Sequence, residues 1–506
     1  MTDAPSHMRR TRPPTTLGEL AEAVLEAGLS VAVVGGGQQA FDVTATGATH
    51  DSRTVGDGDV FMCLRGASFD GHEFAEQAVA AGASMLLVDH RVDVAGVGVP
   101  QLVVTDTRAA AGPLAAAVCG RPSATLTTVG VTGTNGKTTI TEMLGAALGA
   151  MGERVERIGT LHGARTTPEA TELQARLADF VDGGATAAVM EVSSHALELH
   201  RVDGTTFDVV AFSNLGRDHL DLHGTQEAYF RAKSRLFDGS FGGVAVVNVD
   251  DVYGRLIADE TSARGDDSLD VLRVSRDALS DIVVSAGEHR YRWRGVDVRV
   301  GIGGGFNVDN SHLALEILVA LGHEPAEAAS ALAMAPSLAI PGRFETVDHE
   351  VASQRGFGVV VDYAHTPDGL EQLFSTARAI VGDGRLIGVY GCGGDRDREK
   401  RPAMGQIGAE LCDIAFFTSD NPRTEDPASI IDDMSAGVLE DYRRRVHPVV
   451  DRREAIDRAL RDARSGDLVV IAGRGHEPVQ DLGDRRIDFD DRAVTRHLLS
   501  LMENPS

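Results

Sequence analysis

The sequence predicts an α/β fold with parallel sheets, divided among three domains. Short apolar runs of strand length alternate with longer helical stretches, which is typical of sheets built from strand–helix–strand units. The chain has 506 residues, and a prior of roughly 150 residues per domain corresponds to about three domains. A glycine-rich turn at residues 133–139 follows one apolar run and opens a helical stretch, an order typical of nucleotide-binding α/β domains.

Composition and charge exclude several classes of protein. The chain carries 48 basic and 75 acidic side chains, a net charge of −27, whereas binding to a long nucleic acid usually needs a basic surface. No run approaches the ~18 apolar residues that span a bilayer, and the N-terminus lacks the apolar stretch of a secretory signal. The four cysteines form no CxxC pair, which indicates reduced thiols. We therefore expect a cytoplasmic protein with no nucleic-acid partner and no membrane insertion.

Proline and glycine positions predict the domain boundaries. Residues 1–121 form the first domain, and its residues 1–14 are expected to be disordered. Residues 122–345 form the second domain, which begins after an alanine-rich helical stretch, and residues 346–506 form the third, which begins after the segment PGRFE. Strands are predicted at 125–131, 187–192, 207–213 and 243–249 in the second domain, and at 358–362, 386–391, 414–419 and 468–473 in the third.

The strongest chemical signal is the segment GTNGKTT, between a predicted strand and a predicted helix. Glycines let backbone N–H groups surround phosphate oxygens, and the helix N-terminus adds partial positive charge. Lys137 can reach the terminal phosphates, and Thr138 can place its hydroxyl on Mg²⁺. The strict pattern has Gly at position 131, where this chain has Val131, so the segment is a P-loop variant. The predicted nucleotide-binding residues are Gly133, Thr134, Asn135, Gly136, Lys137, Thr138 and Thr139.

A second group of chemically interesting residues follows the other strands of the second domain. Glu191 ends the predicted strand AAVMEV, and carboxyl ends of parallel strands face the ligand crevice, so its carboxylate resembles a Mg²⁺ ligand. His219 follows another strand end, and Lys233 lies on a predicted helix. Residue pattern alone leaves open a structural role for His219 and a surface position for Lys233.

Amide and carboxylate side chains further along suit a nucleoside. Asn307 and Asn310 share one face of a predicted first helical turn, where they could contact a purine or cap the helix. Asp362 ends a predicted strand and can accept both ribose hydroxyls. The segment GCGGDRD at 391–397 lacks the GxGxxG spacing, so a nicotinamide dinucleotide is not expected.

Two late segments together fit a zwitterionic amino acid. In DNPR, Pro422 stiffens the turn, and Arg423 presents a planar fork suited to a carboxylate. In GRGHE, Glu477 could bind an ammonium group, while Arg396 and Arg423 hold carboxylates. Each segment alone could equally be an ordinary loop.

The ordered set of motifs resembles the Mur ligase family, the ATP-dependent amide-forming synthetases of peptidoglycan precursor assembly. The resemblance covers about residues 18 to 495 and is closest to members that add the third residue of the peptide. It implies a UDP-binding domain, a central P-loop ATPase domain and a Rossmann-like third domain for the incoming amino acid. The segments that carry it are GTNGKTT, RTTPE, MEVSSHAL, NLGRDHLDLHG, AKSRLF, PGRFE, DYAHTPD, GCGGDRD, DNPR and GRGHE.

The resemblance also implies ligands and residue roles. ATP and Mg²⁺ are the implied cofactors, a UDP-N-acetylmuramoyl-dipeptide and meso-diaminopimelate the implied substrates, and we expect a monomer. Lys233 would carry a carbamate that supports a second Mg²⁺. The implied metal ligands are Thr138, Glu191, His219 and Lys233, and the implied catalytic residues are Lys137, Glu191, His219 and Lys233. Beside the P-loop, Asn307, Arg343 and Asp362 would bind ATP. The implied substrate residues are Ser52, Thr166, Thr167, Ser193, Arg201, Arg396, Asp420, Asn421, Pro422, Arg423, Gly473 and Glu477.

The implied reaction follows from the chemistry of amide formation. A carboxylate does not accept an amine at neutral pH, because oxide is not a viable leaving group. Transfer of the γ-phosphoryl group of ATP to the γ-carboxylate of D-Glu gives an acyl phosphate, which the amine attacks with release of phosphate. The enzyme would position the reactants, neutralise charge with Mg²⁺ and Lys137, and close over them to exclude water.

The incoming amino acid is predicted from Arg423. meso-Diaminopimelate has a second carboxylate at its far end, which suits a bidentate arginine, whereas lysine has only an ammonium group there. Within the family the segment DNPR goes with diaminopimelate. The alternatives are the lysine-adding ligase and a non-catalytic nucleotide-binding protein of the same fold. Arg474 stands where many relatives have lysine, and Leu199 stands where some have a polar residue.

Overall fold

Three sheets of mainly parallel strands form the framework of the computed structural model, and helices cover them. The structure describes residues 13–66, 69–94, 98–218, 220–264, 269–334 and 340–502. The predicted α/β class is confirmed, while the disorder expected at 1–14 falls mostly on residues 1–12, outside the described residues. Among the described helices, none combines the length and the apolar character that crossing a membrane requires.

The first sheet lies in the N-terminal part of the chain. Its described strands follow the order β2-β7-β6-β5-β4, and β2 alone among them runs antiparallel to its neighbour. The strand β6 (Met85–Val88) is buried at every position, which explains its continuous apolar sequence. The strands of this sheet are β2 (Val31–Val34), β4 (Gly47–Thr49), β5 (Asp59–Met62), β6 and β7 (Gln101–Val104). Strands β1 (Thr15–Thr16) and β3 (Thr44–Ala45) pair antiparallel in a separate two-stranded sheet. The helices are α1 (Leu17–Glu26), α2 (Ala75–Ala80) and α3 (Thr107–Val118).

The central sheet has six described strands, all parallel, in the order β13-β12-β11-β8-β10-β9. Strand β8 lies between β10 and β11, so its carboxyl end opens at the point where the chain direction across the sheet reverses. The strands are β8 (Thr127–Thr132), β9 (Val155–Ile158), β10 (Ala187–Glu191), β11 (Val209–Phe212), β12 (Val244–Asn248) and β13 (Asp270–Val274). The helices are α4 (Lys137–Ala150), α5 (Ala170–Asp182), α6 (Ser194–Glu198), α7 (Leu220–His223), α8 (Gln226–Ser234), α9 (Val252–Ala263), α10 (Gly305–Ala320) and α11 (Pro325–Met334).

A small antiparallel sheet follows the central one and was absent from the sequence prediction. It consists of β14 (Leu279–Val284), β15 (His289–Trp293) and β16 (Val296–Val300). Residues of β15 alternate between buried and exposed, which is the period-two pattern of a half-buried strand. The prediction looked for continuous apolar runs, and this alternating strand did not match them.

The third sheet lies in the C-terminal part of the chain, with six described strands in the order β17-β18-β22-β19-β20-β21. All its pairs are parallel except β17 with β18. The strands are β17 (Glu345–Thr346), β18 (Gly358–Val361), β19 (Leu386–Tyr390), β20 (Ile414–Phe417), β21 (Val446–Pro448) and β22 (Leu468–Ile471), followed by the hairpin β23 (Val479–Asp481) and β24 (Arg486–Asp488). The helices are α12 (Glu350–Arg355), α13 (Pro367–Val381), α14 (Lys400–Leu411), α15 (Pro427–Ala436), α16 (Arg452–Asp462) and α17 (Asp491–Leu501).

Direct contacts connect the three sheets. His50 Nδ1 lies 2.8 Å from Thr171 Oγ1, joining the N-terminal part to α5. Arg217 donates its backbone N–H to Asp368 Oδ2 at 2.6 Å, joining the central part to α13. The loops that follow β8, β10, β18, β20 and β22 all leave carboxyl ends of parallel strands, and the predicted site residues lie mainly on them.

Candidate active site

The P-loop variant closes tightly between β8 and α4. Lys137 Nζ donates to the carbonyl oxygens of Gly133 and Thr134, at 2.8 and 2.9 Å. A Cβ on Gly133 would lie 1.9 Å from Ser213 Oγ, and one on Gly136 would lie 2.4 Å from Asn310 Oδ1. Both glycines also have positive φ, 149° and 90°. The loop therefore requires glycine at these two positions, and burial lowers the pKa of the Lys137 ammonium group.

Glu191 lies at the end of β10 and faces the P-loop helix. Thr138 Oγ1 donates to Glu191 Oε2 at 3.0 Å, and the backbone N–H of Thr160 donates to Glu191 Oε1 at 2.7 Å. Glu191 is only 2% exposed. A carboxylate beside a threonine hydroxyl is an oxygen donor set that suits Mg²⁺, so these residues fit the predicted metal.

Lys233 is buried on α8, not on the surface. Its Nζ donates to the Gly133 carbonyl oxygen at 2.8 Å and lies 4.7 Å from the centre of the Tyr229 ring. Burial and the neighbouring charge of Lys137 hold the pKa of Lys233 well below its usual value. His219, predicted to belong to the same group, lies outside the described residues.

A cavity of about 420 Å³ connects these residues with the third sheet. Most of the predicted nucleotide, metal and peptide residues line it, namely Thr134, Asn135, Gly136, Lys137, Thr138, Thr139, Thr166, Glu191, Ser193, Lys233, Arg343 and Asp362. Its walls come from both the central and the C-terminal part of the chain, so the cavity exists only where the two pack together.

Arg343 and Asp362 line the side of the cavity that faces the third sheet. Arg343 Nη2 donates to Thr138 Oγ1 at 3.2 Å, and its guanidinium carbon lies 4.4 Å from the centre of the Tyr363 ring. Asp362 accepts backbone N–H bonds from Phe344 and Ala364, both at 2.7 Å. Burial raises the pKa of the Asp362 carboxyl.

The two asparagines of α10 differ in position. Asn307 is fully buried, and its amide donates to the Gly303 carbonyl oxygen at 2.7 Å. Asn310 lines the cavity and donates to Asn307 Oδ1 at 2.9 Å. The structure therefore places Asn310 on the cavity wall and Asn307 behind it, joined to the loop before the helix.

The segments DNPR and GRGHE meet at the carboxyl ends of β20 and β22. Asn421 Nδ2 donates to Glu477 Oε2 at 2.8 Å. Arg423, at φ 51°, donates through Nη1 to the Gly394 carbonyl oxygen at 2.6 Å. A Cβ on Gly473 would lie 2.6 Å from Asp420 Oδ2, an oxygen that is buried with no hydrogen-bond partner among the described residues. Burial raises the pKa of Glu477.

Other predicted amino-acid residues lie around the same segments. Pro422 is buried, and a Cβ on Gly394 would lie 1.9 Å from its carbonyl oxygen. Arg396 is exposed on the loop after β19. The ring centres of Tyr363 and His476 lie 5.2 Å apart, so the cavity wall and GRGHE are in contact. The structure thus brings GRGHE against the cavity wall through the Tyr363–His476 contact, while the predicted amino-acid residues themselves lie outside the lining of this cavity.

The predicted muramoyl-peptide residues divide between two places. Thr166 and Ser193 line the cavity, whereas Thr167 Oγ1 donates to the Glu191 carbonyl oxygen at 2.8 Å. Arg201 pairs with Glu169 at 2.7 Å, at the contact between α3 and α5. Ser52 lies on the N-terminal part, 3.4 Å from Gln77 Oε1, and does not line the described cavity.

Sequence reasoning missed several residues of the cavity wall. Asp218, Tyr229, Tyr363 and His365 all line it. Asp218 and Tyr363 directly adjoin predicted residues, His219 and Asp362, so proximity to a strand-end motif was the available signal. Thr160 also lines the cavity, two positions after β9 ends, but its contact with Glu191 depends on neighbouring strands and had no local signal.

The chain resembles known proteins over most of its length. The chain matches the Mur ligase family catalytic domain over residues 44–118, the Mur ligase middle domain over 131–318 and the Mur ligase glutamate ligase domain over 342–475. It is 40% identical over 480 residues, 91% of this chain and 95% of the relative, to the UDP-N-acetylmuramoyl-L-alanyl-D-glutamate--2,6-diaminopimelate ligase of Syntrophomonas wolfei.

Two solved structures show the same architecture. A UDP-N-acetylmuramoyl-L-alanyl-D-glutamate--2,6-diaminopimelate ligase superimposes with a TM-score of 0.68 at 32% identity, covering 97% of this chain and 100% of that one. The MurF ligase of Thermotoga maritima in complex with ADP superimposes with a TM-score of 0.60, covering 90% of this chain and 96% of that one. At 19% identity the second likeness shows the fold alone.

Proposed function

Because the chain belongs to the Mur ligase family, we propose that it is an ATP-dependent ligase. It joins meso-2,6-diaminopimelate to UDP-N-acetylmuramoyl-L-alanyl-D-glutamate in the synthesis of peptidoglycan precursors in the cytoplasm, acting as a monomer. The observation that carries this proposal is the cavity in which Lys137, Thr138, Glu191 and Lys233 meet, whose wall contacts the GRGHE segment through Tyr363. The identity to a diaminopimelate ligase over 91% of the chain supports the same activity.

The domains divide the substrates among them. We assign residues 1–121 to the UDP part of the substrate, 122–345 to ATP and 346–506 to the incoming amino acid. The cavity supports this division, because its P-loop wall comes from the second range and Asp362 from the third. The muramoyl-peptide would extend from the first range to the cavity. Its binding is assigned to Ser52, Thr166, Thr167, Ser193 and Arg201.

The residues of the cavity activate a carboxylate with ATP. The P-loop backbone and Lys137 hold the phosphates, and the γ-phosphoryl group passes to the D-Glu carboxylate to form an acyl phosphate. The amine of the incoming amino acid attacks its carbonyl carbon, and phosphate leaves with the bonding electron pair. Thr138, Glu191 and His219 would hold Mg²⁺, which neutralises phosphate charge when bound. We assign the ribose to Asp362 and the adenine to Asn307, which lies directly behind Asn310 of the cavity wall.

The environment of Lys233 favours carbamate formation. Only a neutral amine attacks CO₂, and burial with a neighbouring cation favours the neutral amine. The carbamate would replace a cation with an anion and supply oxygen donors for a second Mg²⁺. Its formation consumes CO₂ and releases one proton.

Arg423 would select diaminopimelate. A guanidinium has five N–H groups, of which one in Arg423 donates to the Gly394 carbonyl oxygen. The same planar group can bind the far carboxylate of diaminopimelate through two parallel bonds. Glu477 and Asn421, already joined at 2.8 Å, would bind the ammonium and carboxylate of the substrate together with Gly473.

Phosphate release tests the proposal directly. The full-length protein, ATP, Mg²⁺ and UDP-N-acetylmuramoyl-L-alanyl-D-glutamate are combined with meso-diaminopimelate or with L-lysine. Turnover that requires diaminopimelate is the expected result. Turnover with lysine would support ligase activity and contradict the selectivity for diaminopimelate. No turnover with either amino acid would favour a non-catalytic nucleotide-binding protein.

A further inference from the structure

A completely buried ion pair lies beneath the amino-acid segments, outside the residues assigned to the site. Arg452 is the first residue of α16, and Asp491 is the first residue of α17. Their side chains are 0% exposed. Arg452 Nε donates to Asp491 Oδ1 at 2.8 Å, and Nη2 donates to Oδ2 at 2.7 Å. This is the bidentate geometry that fixes a guanidinium in one orientation.

The same guanidinium also bonds two backbone carbonyls. Arg452 Nη2 donates to the Ala472 carbonyl oxygen at 2.8 Å, and Nη1 donates to the Ser419 carbonyl oxygen at 3.3 Å. Ser419 directly precedes the DNPR segment, and Ala472 directly precedes GRGHE. One side chain therefore holds the starting points of both segments.

The sheet itself does not join these two points. Strands β20 and β22, which lead into the two segments, are separated by β19 in the sheet order. Ladder hydrogen bonds run between adjacent strands, so the ends of β20 and β22 have no direct ladder bond with each other. The Arg452 side chain bridges the ends of β20 and β22, and its ion pair with Asp491 fixes the plane of its guanidinium group.

We propose that Arg452 and Asp491 are positioning residues for the incoming amino acid, which set the separation between the Asn421–Arg423 segment and the Gly473–Glu477 segment. The inference rests on the proposed function. The bonds need the planar fork of arginine, because a lysine ammonium is a point charge that cannot reach both carboxylate oxygens and both carbonyls in this arrangement. A positive charge at position 452 is therefore not enough to hold both segments, because the planar arrangement of the guanidinium N–H groups is needed.

The test is Arg452→Lys in the full-length enzyme, with KM measured for meso-diaminopimelate, ATP and the UDP-dipeptide substrate. We expect the KM for diaminopimelate to rise at least about tenfold, with the other two KM values within about twofold of wild type. The matched control is Arg385→Lys. Arg385 pairs with Asp467 at 2.5 Å at the opposite, amino-terminal edge of the same sheet, so its loss perturbs the sheet and should leave all three KM values unchanged.

A second variant guards against misfolding. Arg452→Met combined with Asp491→Leu removes both charges of the pair at once, so neither is left buried without its partner, and such replacements are often tolerated. It should fold and show the same selective rise in KM. Equal rises in all three KM values, or an unchanged KM for diaminopimelate in either folded variant, would overturn the inference alone. A wild-type enzyme that does not use diaminopimelate would overturn the proposed function and, with it, this inference.

Discussion

The phosphate loop and the amino-acid segments differ in how widely their residues are spaced along the chain. Residues 133–139 are contiguous between strand β8 and helix α4, and Ser213 and Asn310 pack against their glycines. The amino-acid region combines the loops after β19, β20 and β22, which side-chain bonds such as Asn421 to Glu477 hold together. A contiguous motif carries its geometry with it, whereas a dispersed pocket depends on packing between distant segments. Substitutions should therefore abolish the chemistry in the first region and change substrate preference in the second.

The largest effect is expected at the P-loop. Lys137→Met should lower kcat about 10³-fold, because the charge that stabilises the transferring phosphoryl group is lost. The measurement is phosphate release at saturating substrates. A thermal shift with the UDP-dipeptide substrate serves as the folding control and should match wild type. Activity within tenfold of wild type would contradict the predicted role of Lys137 in phosphoryl transfer.

A substitution of Lys233 tests whether catalysis beside the phosphate loop depends on a carbamate at this side chain. Lys233→Arg keeps a positive charge but cannot form a carbamate, and kcat should fall about 10²-fold through loss of the anionic group. Wild-type enzyme stripped of CO₂ should lose activity and regain it with bicarbonate, whereas the variant should not respond. A bicarbonate-independent wild-type enzyme would contradict the carbamate.

A substitution of Arg423 should change substrate preference in the amino-acid region without abolishing the chemistry. Arg423→Ala should lower kcat/KM for meso-diaminopimelate about 10²-fold through loss of two charged hydrogen bonds, and it should leave the low rate with L-lysine unchanged. The matched control is Arg398→Ala, since Arg398 is 68% exposed and pairs with Glu425 on the neighbouring loop. Retained preference for diaminopimelate over lysine would exclude the predicted role.

The smallest effect is expected from pH. Burial raises the pKa of Glu477 above its usual value, so its carboxylate becomes protonated earlier as the pH falls. Loss of that charge weakens ammonium binding, and the KM for diaminopimelate should rise by up to about tenfold for each pH unit below the raised pKa. Glu477→Gln should flatten this profile. A parallel rise in the KM for ATP would show that another group is responsible.

The contiguous region was largely predictable from the sequence, for a local reason. The glycines, lysine and threonine of GTNGKTT lie within seven residues, so their backbone and charge requirements were visible together. The asparagines were harder, because i, i+3 spacing places Asn307 and Asn310 on one helix face without showing which faces the cavity. The structure places Asn310 there, while the adenine contact of Asn307 stays a prediction.

By itself, the sequence determined the α/β class and the strand-end positions of Glu191, Asp362 and Asp420, because apolar runs and the polar residues that follow them are local patterns. Tertiary structure alone decided that Lys233 is buried against Gly133, 100 residues away along the chain. It also decided that Arg452 joins two strands that are not neighbours. These contacts depend on how helices pack against a sheet, and residue spacing along the chain carries no such information.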